Sequence, residues 1–409
     1  MKPTQVAKDI WWVGVNDRTT PRFENLWTLP RGVSYNSYLV MGSEKTALID
    51  GALSDYFDIY LEHIESVLGG RKLDYLVINH MEPDHSSAIE LLRKFFPDMT
   101  IVTNKIALGL LQQFYADPGA TLAVAENDEL DLGGLTLQFA MVPNVHWPET
   151  MVTFEKTTGT LFSCDAFGAY GALDGSVFEE ELDRESLVRE TRRYYATIVG
   201  RFNPFVQKAL QKVKALPLKV LCPSHGPVYR EGIPDVLRLY DLMSRQDTVE
   251  GAVVVYGSMY GHTARMAEAC AEGLRDAGVK PVHMYDISDA DIADVIGDVW
   301  HYRGLALFAC CYNMGMFPAM KPLVDKMVNC KVSGRVLALG GNYSWSKGKE
   351  LEPLLAFKDT GEFDLAGDVI EVKSTPTKED LAACRELGRS MGEKIKAHCA
   401  GSVCPAHGD

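Results

Sequence analysis

The stretch Asn79-His80-Met81-Glu82-Pro83-Asp84-His85 places four side chains able to hold a metal, His80, Glu82, Asp84 and His85, within six consecutive residues. A single tetrahedral zinc takes three or four ligands, and the paired histidines of its helical motif stand one turn apart, a spacing absent here. Alternate residues of an extended segment share a face, so His80, Glu82 and Asp84 can converge while His85 turns to a second position. That geometry suits two neighbouring metals. The same letters could also start a helix, because Asp84, Ser86 and Ser87 precede the periodic Ile89, Leu91, Leu92 and Phe95. Capping and metal binding can hold together.

These residues need elements to present them. The apolar run Leu73-Asp74-Tyr75-Leu76-Val77-Ile78 reads as a buried strand ending at the motif. Upstream, short strands fill residues 1 to about 50, and a helix from Tyr56 to Leu68 stops at Gly69-Gly70. Downstream, a strand from Leu135 leads to His146, a hairpin of Met151–Phe154 and Thr160–Ser163 delivers Asp165, and the run from Leu218 delivers His225. A helical stretch is expected from about Glu179 to Ala215. A lone histidine after a strand is by default a loop residue, and Asp165 alone could cap a turn. Seven such residues at four strand exits predict one cleft, because strand ends of an αβ protein lie on one edge.

The polar segment Gln246-Asp247-Thr248-Val249-Glu250-Gly251 marks a domain boundary, dividing the chain into residues 1–249 and 250–409. Beyond it strands (Ala252–Tyr256, Leu305–Ala309, Arg335–Leu339, Asp368–Val372) alternate with helices from Thr263, Lys321 and Glu379, the pattern of a parallel sheet covered on both faces. Its first strand exits into Ser258-Met259-Tyr260-Gly261-His262-Thr263 and then a helix, so backbone N–H groups and hydroxyls can surround a phosphate. No lysine follows, so this is no Walker loop, and the glycine spacing is not that of a dinucleotide turn. Two later exits, Cys311-Tyr312-Asn313-Met314-Gly315 and Asn342-Tyr343-Ser344-Trp345-Ser346-Lys347-Gly348, join glycines with aromatics that can stack on a flat ring. A mononucleotide with a planar ring is the implied ligand, at the switch point of a doubly wound sheet.

Composition narrows the classes. The 41 Lys+Arg against 55 Asp+Glu give a net charge of −14 with no basic stripe, which argues against nucleic acid as a partner. No apolar run is long enough for a membrane span and the N-terminus lacks a signal-peptide core, so a cytoplasmic protein is expected. Nine scattered cysteines fit a reducing compartment. The tail from His398-Cys399 to Cys404 and His407 clusters thiol and imidazole, but no second Cys pair accompanies it to complete a metal site.

With both constellations in view, the chain resembles the flavodiiron proteins, also called A-type flavoproteins, which include rubredoxin:oxygen oxidoreductases and nitric oxide reductases. The likeness rests on His-x-Glu-x-Asp-His at His80–His85 and on the phosphate and aromatic loops at Ser258–Thr263 and Asn342–Gly348. It implies a metallo-β-lactamase-like αββα domain followed by a flavodoxin-like domain. His80, Glu82 and His146 would hold one iron, Asp84, His85 and His225 the other, with Asp165 bridging, and FMN would bind in the second domain. The middle loop departs from the family: Ala309-Cys310-Cys311 stands where Ser-Pro-Thr is common, leaving Asn313 and Gly315 as the matching positions.

The resemblance implies reduction of dioxygen to water, of nitric oxide to nitrous oxide, or both. Two ferrous ions and a reduced flavin together hold four electrons, the number one dioxygen needs. It further implies a head-to-tail homodimer, possibly a dimer of dimers, that sets each flavin beside the partner's irons, and a separate donor, rubredoxin or a reduced deazaflavin. The rival readings are a zinc hydrolase of the metallo-β-lactamase type with an appended flavodoxin domain, and a pure electron carrier. Metal content and gas consumption separate the three.

Overall fold

Short apolar runs broken by turns dominate the first half of the chain, and they fold into two facing sheets. The computed structural model describes residues 1–115 and 119–401 and divides into two compact units, Met1–Ser244 and Arg245–Asp409. In the first unit a seven-stranded sheet runs in the order Thr4–Ala7, Ile10–Trp12, Tyr38–Met41, Thr46–Ile49, Tyr75–Val77, Thr100–Asn104, Thr121–Val124. Its early strands pair antiparallel and its later ones parallel. The second sheet orders Glu129–Asp131, Thr136–Met141, Met151–Glu155, Thr160–Cys164 and Val220–Pro223, parallel only at its last pair.

The core lies between these sheets. Trp12, Tyr38, Ile49, Val77 and Val102 from one meet Leu137, Phe139, Met151 and Phe162 from the other, all almost wholly removed from water. Helices such as Phe57–Leu68 and Lys105–Phe114 pack on the first sheet, and the helix Asn203–Lys214 meets the second, where Lys212 Nζ donates to the Met141 carbonyl at 2.8 Å, giving the αββα arrangement. The helix expected over residues 179–215 is instead interrupted: Arg184–Tyr194 gives way to a wide turn at Tyr195–Val199 and a tight one at Gly200–Phe202, before Asn203–Lys214 resumes. Gly200 and Pro204 disfavour an unbroken helix there, and Pro204 sits in the first turn of the new one, where no N–H is missed.

The second unit is a parallel sheet in the order Val282–Asp286, Val249–Gly257, Tyr302–Tyr312, Val336–Tyr343, with Asp364–Leu365 and Ile370–Lys373 both pairing to the last. This is the flavodoxin order of doubly wound sheets. Helices His262–Asp276 and Lys378–Gly401 bury Met266, Cys270, Leu274, Met391 and Ile395 against Val254, Ala306, Phe308 and Ala338. The strand Val282–Asp286 is not marked in the sequence pattern, because as an edge strand it is half-buried at every position and shows no alternation.

Candidate metal and flavin sites

The strand Tyr75–Val77 ends three residues before His80, and a buried hydrogen-bonded lattice anchors the motif at Asn79. Asp50, at the exit of the strand Thr46–Ile49, accepts from Asn79 N at 2.7 Å and from Asn79 Nδ2 at 2.9 Å. Asn79 Oδ1 in turn accepts from Thr153 Oγ1 at 2.7 Å. Pro83 then opens the helical turn Pro83–Ser86, so strand alternation stops at Glu82. Asp84 consequently parts from His80 and Glu82 and faces the same way as His85, unlike the convergence expected of an extended segment.

All seven side chains meet, in two groups that share one carboxylate. His80, Glu82, His146 and Asp165 form the first group, and Asp84, His85 and His225 the second. Asp165 Oδ2 stands 3.5 Å from His80 Nε2 and 3.3 Å from His146 Nε2. Its other oxygen, Oδ1, stands 3.0 Å from His85 Nε2 and 3.3 Å from His225 Nε2. Glu82 Oε2 serves the first group at 3.0 Å from His146 Nε2, while Asp84 Oδ2 serves the second at 3.2 Å from His225 Nε2.

Each imidazole turns Nε2 inward, and two are locked from behind. His80 Nδ1 lies 2.7 Å from Glu149 Oε1, and His225 Nδ1 2.8 Å from the Ser34 carbonyl. Such backing fixes ring orientation and tautomer for a metal ligand. His85 Nδ1 is buried without a hydrogen-bond partner among the described residues. Gly51 sits over this histidine: its N–H donates to the His85 carbonyl at 2.8 Å, and a Cβ there would stand 2.6 Å from that oxygen.

The residues fit a metal pair. Both oxygens of Asp84, Oδ2 of Asp165 and Nε2 of His225 are buried, face one another, and have no hydrogen-bond partner among the described residues. Orphaned donors and acceptors at the centre of a buried cluster are costly unless a cation takes them up. The protonation states carry the same strain. Burial would push His80 down, yet the bonds to Glu149 and then Glu82 push it up to about 10. For Asp165 burial opposes ionisation, but the charge of His85 and the close approach of the His146, His225 and His85 imidazoles hold its carboxyl well below the usual range.

Several neighbours carry no signal in the sequence alone. Phe23 and Tyr35 stand edge-on to the His225 ring, Tyr194 lies tilted against it, and Trp147 stands edge-on to His80. Glu24, in the hairpin of Arg22–Phe23 and Trp27–Thr28, approaches Glu82; removal from water on its inner side and then the Glu82 charge push its carboxyl up to about 7. Glu149 is three residues past His146 in a loop without periodicity. Asp50 could have been found, since Asp50-Gly51 closes a strand that is itself well marked.

In the second unit the three loops converge on a cleft of about 330 Å³. Ser258, Met259, Tyr260, His262, Thr263, Cys311, Tyr312, Asn313, Asn342, Tyr343, Ser344 and Trp345 line it, joined by Cys310 and Ser346. Gly261, Gly315 and Gly348 lie in the loops without lining it: Gly261 precedes the helix His262–Asp276 at φ +86°, Gly315 pairs with Tyr312, and Gly348 N donates to Glu371 Oε1 at 2.5 Å. The Asn342 amide is committed to the Val372 and Ser374 carbonyls at 3.1 and 2.8 Å, tying the strand end in place. Among the described residues Thr263 Oγ1 is buried without a hydrogen-bond partner at the start of that helix, as a phosphate-binding hydroxyl would be, so the loop fits FMN. Cys164, Cys222, Cys270, Cys310, Cys311 and Cys384 are free thiols; Cys399 is half-buried, and Cys404 and His407 lie outside the described residues.

An αββα sandwich with a shared-carboxylate cluster, followed by a flavodoxin sheet with a ring-sized cleft, defines a class of two-module redox protein. Family models agree: residues 33–226 match the ODP family beta lactamase and residues 254–388 flavodoxin. The chain is 31% identical over 408 residues to the coenzyme F420H(2) oxidase of Methanothermobacter marburgensis, covering 96% of this chain and 98% of that one. It is 28% identical to the nitric oxide reductase of Moorella thermoacetica, covering 96% and 99%. Among solved structures, rubredoxin oxygen:oxidoreductase from Desulfovibrio gigas superposes with a TM-score of 0.91 at 26% identity, covering 98% of this chain and 100% of that one. The flavodiiron protein from Giardia intestinalis superposes at 0.92 and 26%, covering 98% of each. The chain belongs to the flavodiiron proteins.

Proposed function

We propose that the chain is an oxidoreductase that reduces dioxygen to water, nitric oxide to nitrous oxide, or both, with electrons relayed through FMN from a separate donor. The observation that carries this reading is Asp165, whose two oxygens each face a different pair of imidazoles. In this reading His80, Glu82 and His146 hold one iron, Asp84, His85 and His225 the second, and Asp165 joins them. An iron pair held by these residues, with FMN in the second unit, would supply the electron-transfer chemistry that reduction of either gas needs.

The chain's own residues do the rest. Glu149 and Ser34 hold the rings of His80 and His225 with Nε2 inward. Phe23, Tyr35, Tyr194 and Trp147 wall the cluster with rings that exclude bulk water. Imidazole and carboxylate donors without thiolate suit iron, manganese or zinc alike, but only a redox metal gives an attached flavin something to reduce, and the relatives' names are those of oxidases and reductases, which supports this reading over zinc hydrolysis.

A rubredoxin-type donor fits the family, with reduced deazaflavin a second reading favoured by the F420H(2) oxidase likeness. Exposed apolar side chains crowd the mouth of the flavin cleft, among them Tyr260 at 86%, Trp345 at 73% and Met314 at 61% accessible. Such a patch is suited to burial by a second copy in a head-to-tail dimer, and an active enzyme that sediments strictly as a monomer would contradict it. Free thiols at Cys164, Cys222, Cys270, Cys310, Cys311 and Cys384 fit the cytoplasm, and no described helix is long and apolar enough to cross a membrane.

The test is anaerobic turnover of each gas, side by side, by the photoreduced iron-loaded protein and by Asp165→Ala. Consumption by the first, and its loss in the variant with flavin still bound, is the expected result. Equal activity of the two would remove the joining role of Asp165.

A further inference from the structure

Behind the flavin cleft lies a carboxyl that flavin binding does not require. Glu350, just before the helix Glu352–Lys358, is fully buried, and neither of its carboxylate oxygens has a hydrogen-bond partner among the described residues. A Cβ on Gly341, in the strand Val336–Tyr343, would meet Glu350 Oε1 at 2.8 Å. The group therefore sits against the sheet just below the strand end. Gly341 adjoins Asn342, which lines the cleft, and burial and then the Glu350 charge raise the Cys311 thiol of the same lining, so Glu350 lies close to the cleft wall.

A lone carboxylate in such a place is strongly disfavoured and takes up a proton instead. The groups that face it do not relieve it. Glu371, on the strand Ile370–Lys373, repels it, and Cys311 offers no positive charge. The lysines of its own loop are engaged elsewhere: Lys347 Nζ stands 3.9 Å from Glu371 Oε2, and Lys349 Nζ pairs with Glu352 at 2.6 Å. Burial first, offset in part by the nearby backbone, which makes no hydrogen bond to it, and reinforced by the Glu371 charge, pushes the carboxyl up to about 7. Its charge is thus poised where a small change in the field of the neighbouring ring decides it.

We propose that Glu350 is a redox-linked proton site, binding a proton when the flavin in the adjacent cleft is reduced and releasing it on reoxidation. The inference rests on the reading of that cleft as the FMN site. Two electrons from the external donor and one proton from water convert the oxidised flavin to its singly charged reduced anion. A second proton from water converts the Glu350 carboxylate to the carboxylic acid. The domain therefore gains no net charge on reduction, and both protons leave when the two electrons pass on.

The experiment follows the midpoint potential of the flavin in the full-length FMN-loaded protein by spectroelectrochemistry across neutral pH. One extra proton per two electrons adds about 30 mV of slope per pH unit, the tenfold step in proton activity for a two-electron couple. The unmodified protein should show this added slope around neutrality and Glu350→Gln should lack it. Identical slopes, or no added slope in the unmodified protein while flavin is bound, overturn the inference alone. Should Glu350→Gln lose flavin, Glu371→Gln decides: removal of the repelling charge should move the steep region to lower pH, and an unmoved profile overturns the proposal. Failure of the unmodified protein to bind FMN would defeat the reading of the cleft and this inference with it.

Discussion

Replacing Glu149 by glutamine should loosen the metal at His80 without unfolding the domain. Glu149 is buried, and its Oε1 accepts from His80 Nδ1 at 2.7 Å and from Met81 N at 3.0 Å. Glutamine keeps one acceptor oxygen but not the charge. A hydrogen bond to a charged group contributes about 1.5–3 kcal/mol and a neutral one about 0.5–1.5, so the difference is about 1–2 kcal/mol. At 1.4 kcal/mol per tenfold, iron affinity should fall about 5- to 30-fold, overlapping the lower part of the range typical for groups that orient a ligand. Alanine would be less informative, because it strands two buried donors at about 1–3 kcal/mol each and perturbs folding itself. The assay is iron per chain after dialysis against a graded chelator, with flavin absorbance as internal control. Glu149→Gln should lose iron at correspondingly lower chelator strength while flavin stays full. Iron retention equal to that of the unmodified protein would refute the reasoning.

Gly51→Ala should destabilise the first unit by about 1–3 kcal/mol, because the added carbon would stand 2.6 Å from the His85 carbonyl and force it aside; an unchanged denaturation midpoint would sink this. On the edge of the second sheet, the Asp298 hydrogen bond, against partial burial, raises His283, whose Nδ1 lies 3.0 Å from Asp298 Oδ2. A raised histidine stabilises the fold fully below its unfolded value of about 6.5, and that contribution fades as pH rises through the folded value. For Asp298, burial opposes ionisation, but His283 and Tyr285 lower its carboxyl, so its share is present above about 3.9 and is lost towards acid. The stability difference between the unmodified protein and His283→Gln should therefore be largest between about pH 4 and 6.5 and shrink above neutrality. A difference constant from acid to alkaline pH would contradict the pairing.

Strand exits were legible because periodicity and turn residues mark where a strand stops, and the seven clustered side chains all stand at such stops. The hidden part of the site depends on physics that acts at a distance along the chain. Glu149 and Glu24 reach the cluster from loops, whose paths no local pattern encodes, and Asp50 looks like any acid before a glycine. Asp84 was misdirected by two-residue alternation, because Pro83 had already turned the backbone into a helix. The glycines at 261, 315 and 348 were legible as loop formers, but their part is to shape the cleft rather than to line it. Cys310 faces the same cleft from within an apolar strand, where a thiol reads as packing.

The segment around Asn36 has a consequence for synthesis. Asn36 Nδ2 donates to the Pro223 and Gly226 carbonyls at 2.8 and 2.7 Å, and Ser34 receives His225 from 191 residues further on. Closing so large a loop is entropically mild, at about 0.6 kcal/mol for each doubling of length. Its timing is not mild. A nascent polypeptide still short of residue 225 lacks the His225 imidazole and the Gly226 carbonyl that Ser34 and Asn36 hold, so the cluster cannot close before them. The cluster is therefore completed late, only once the chain has reached His225.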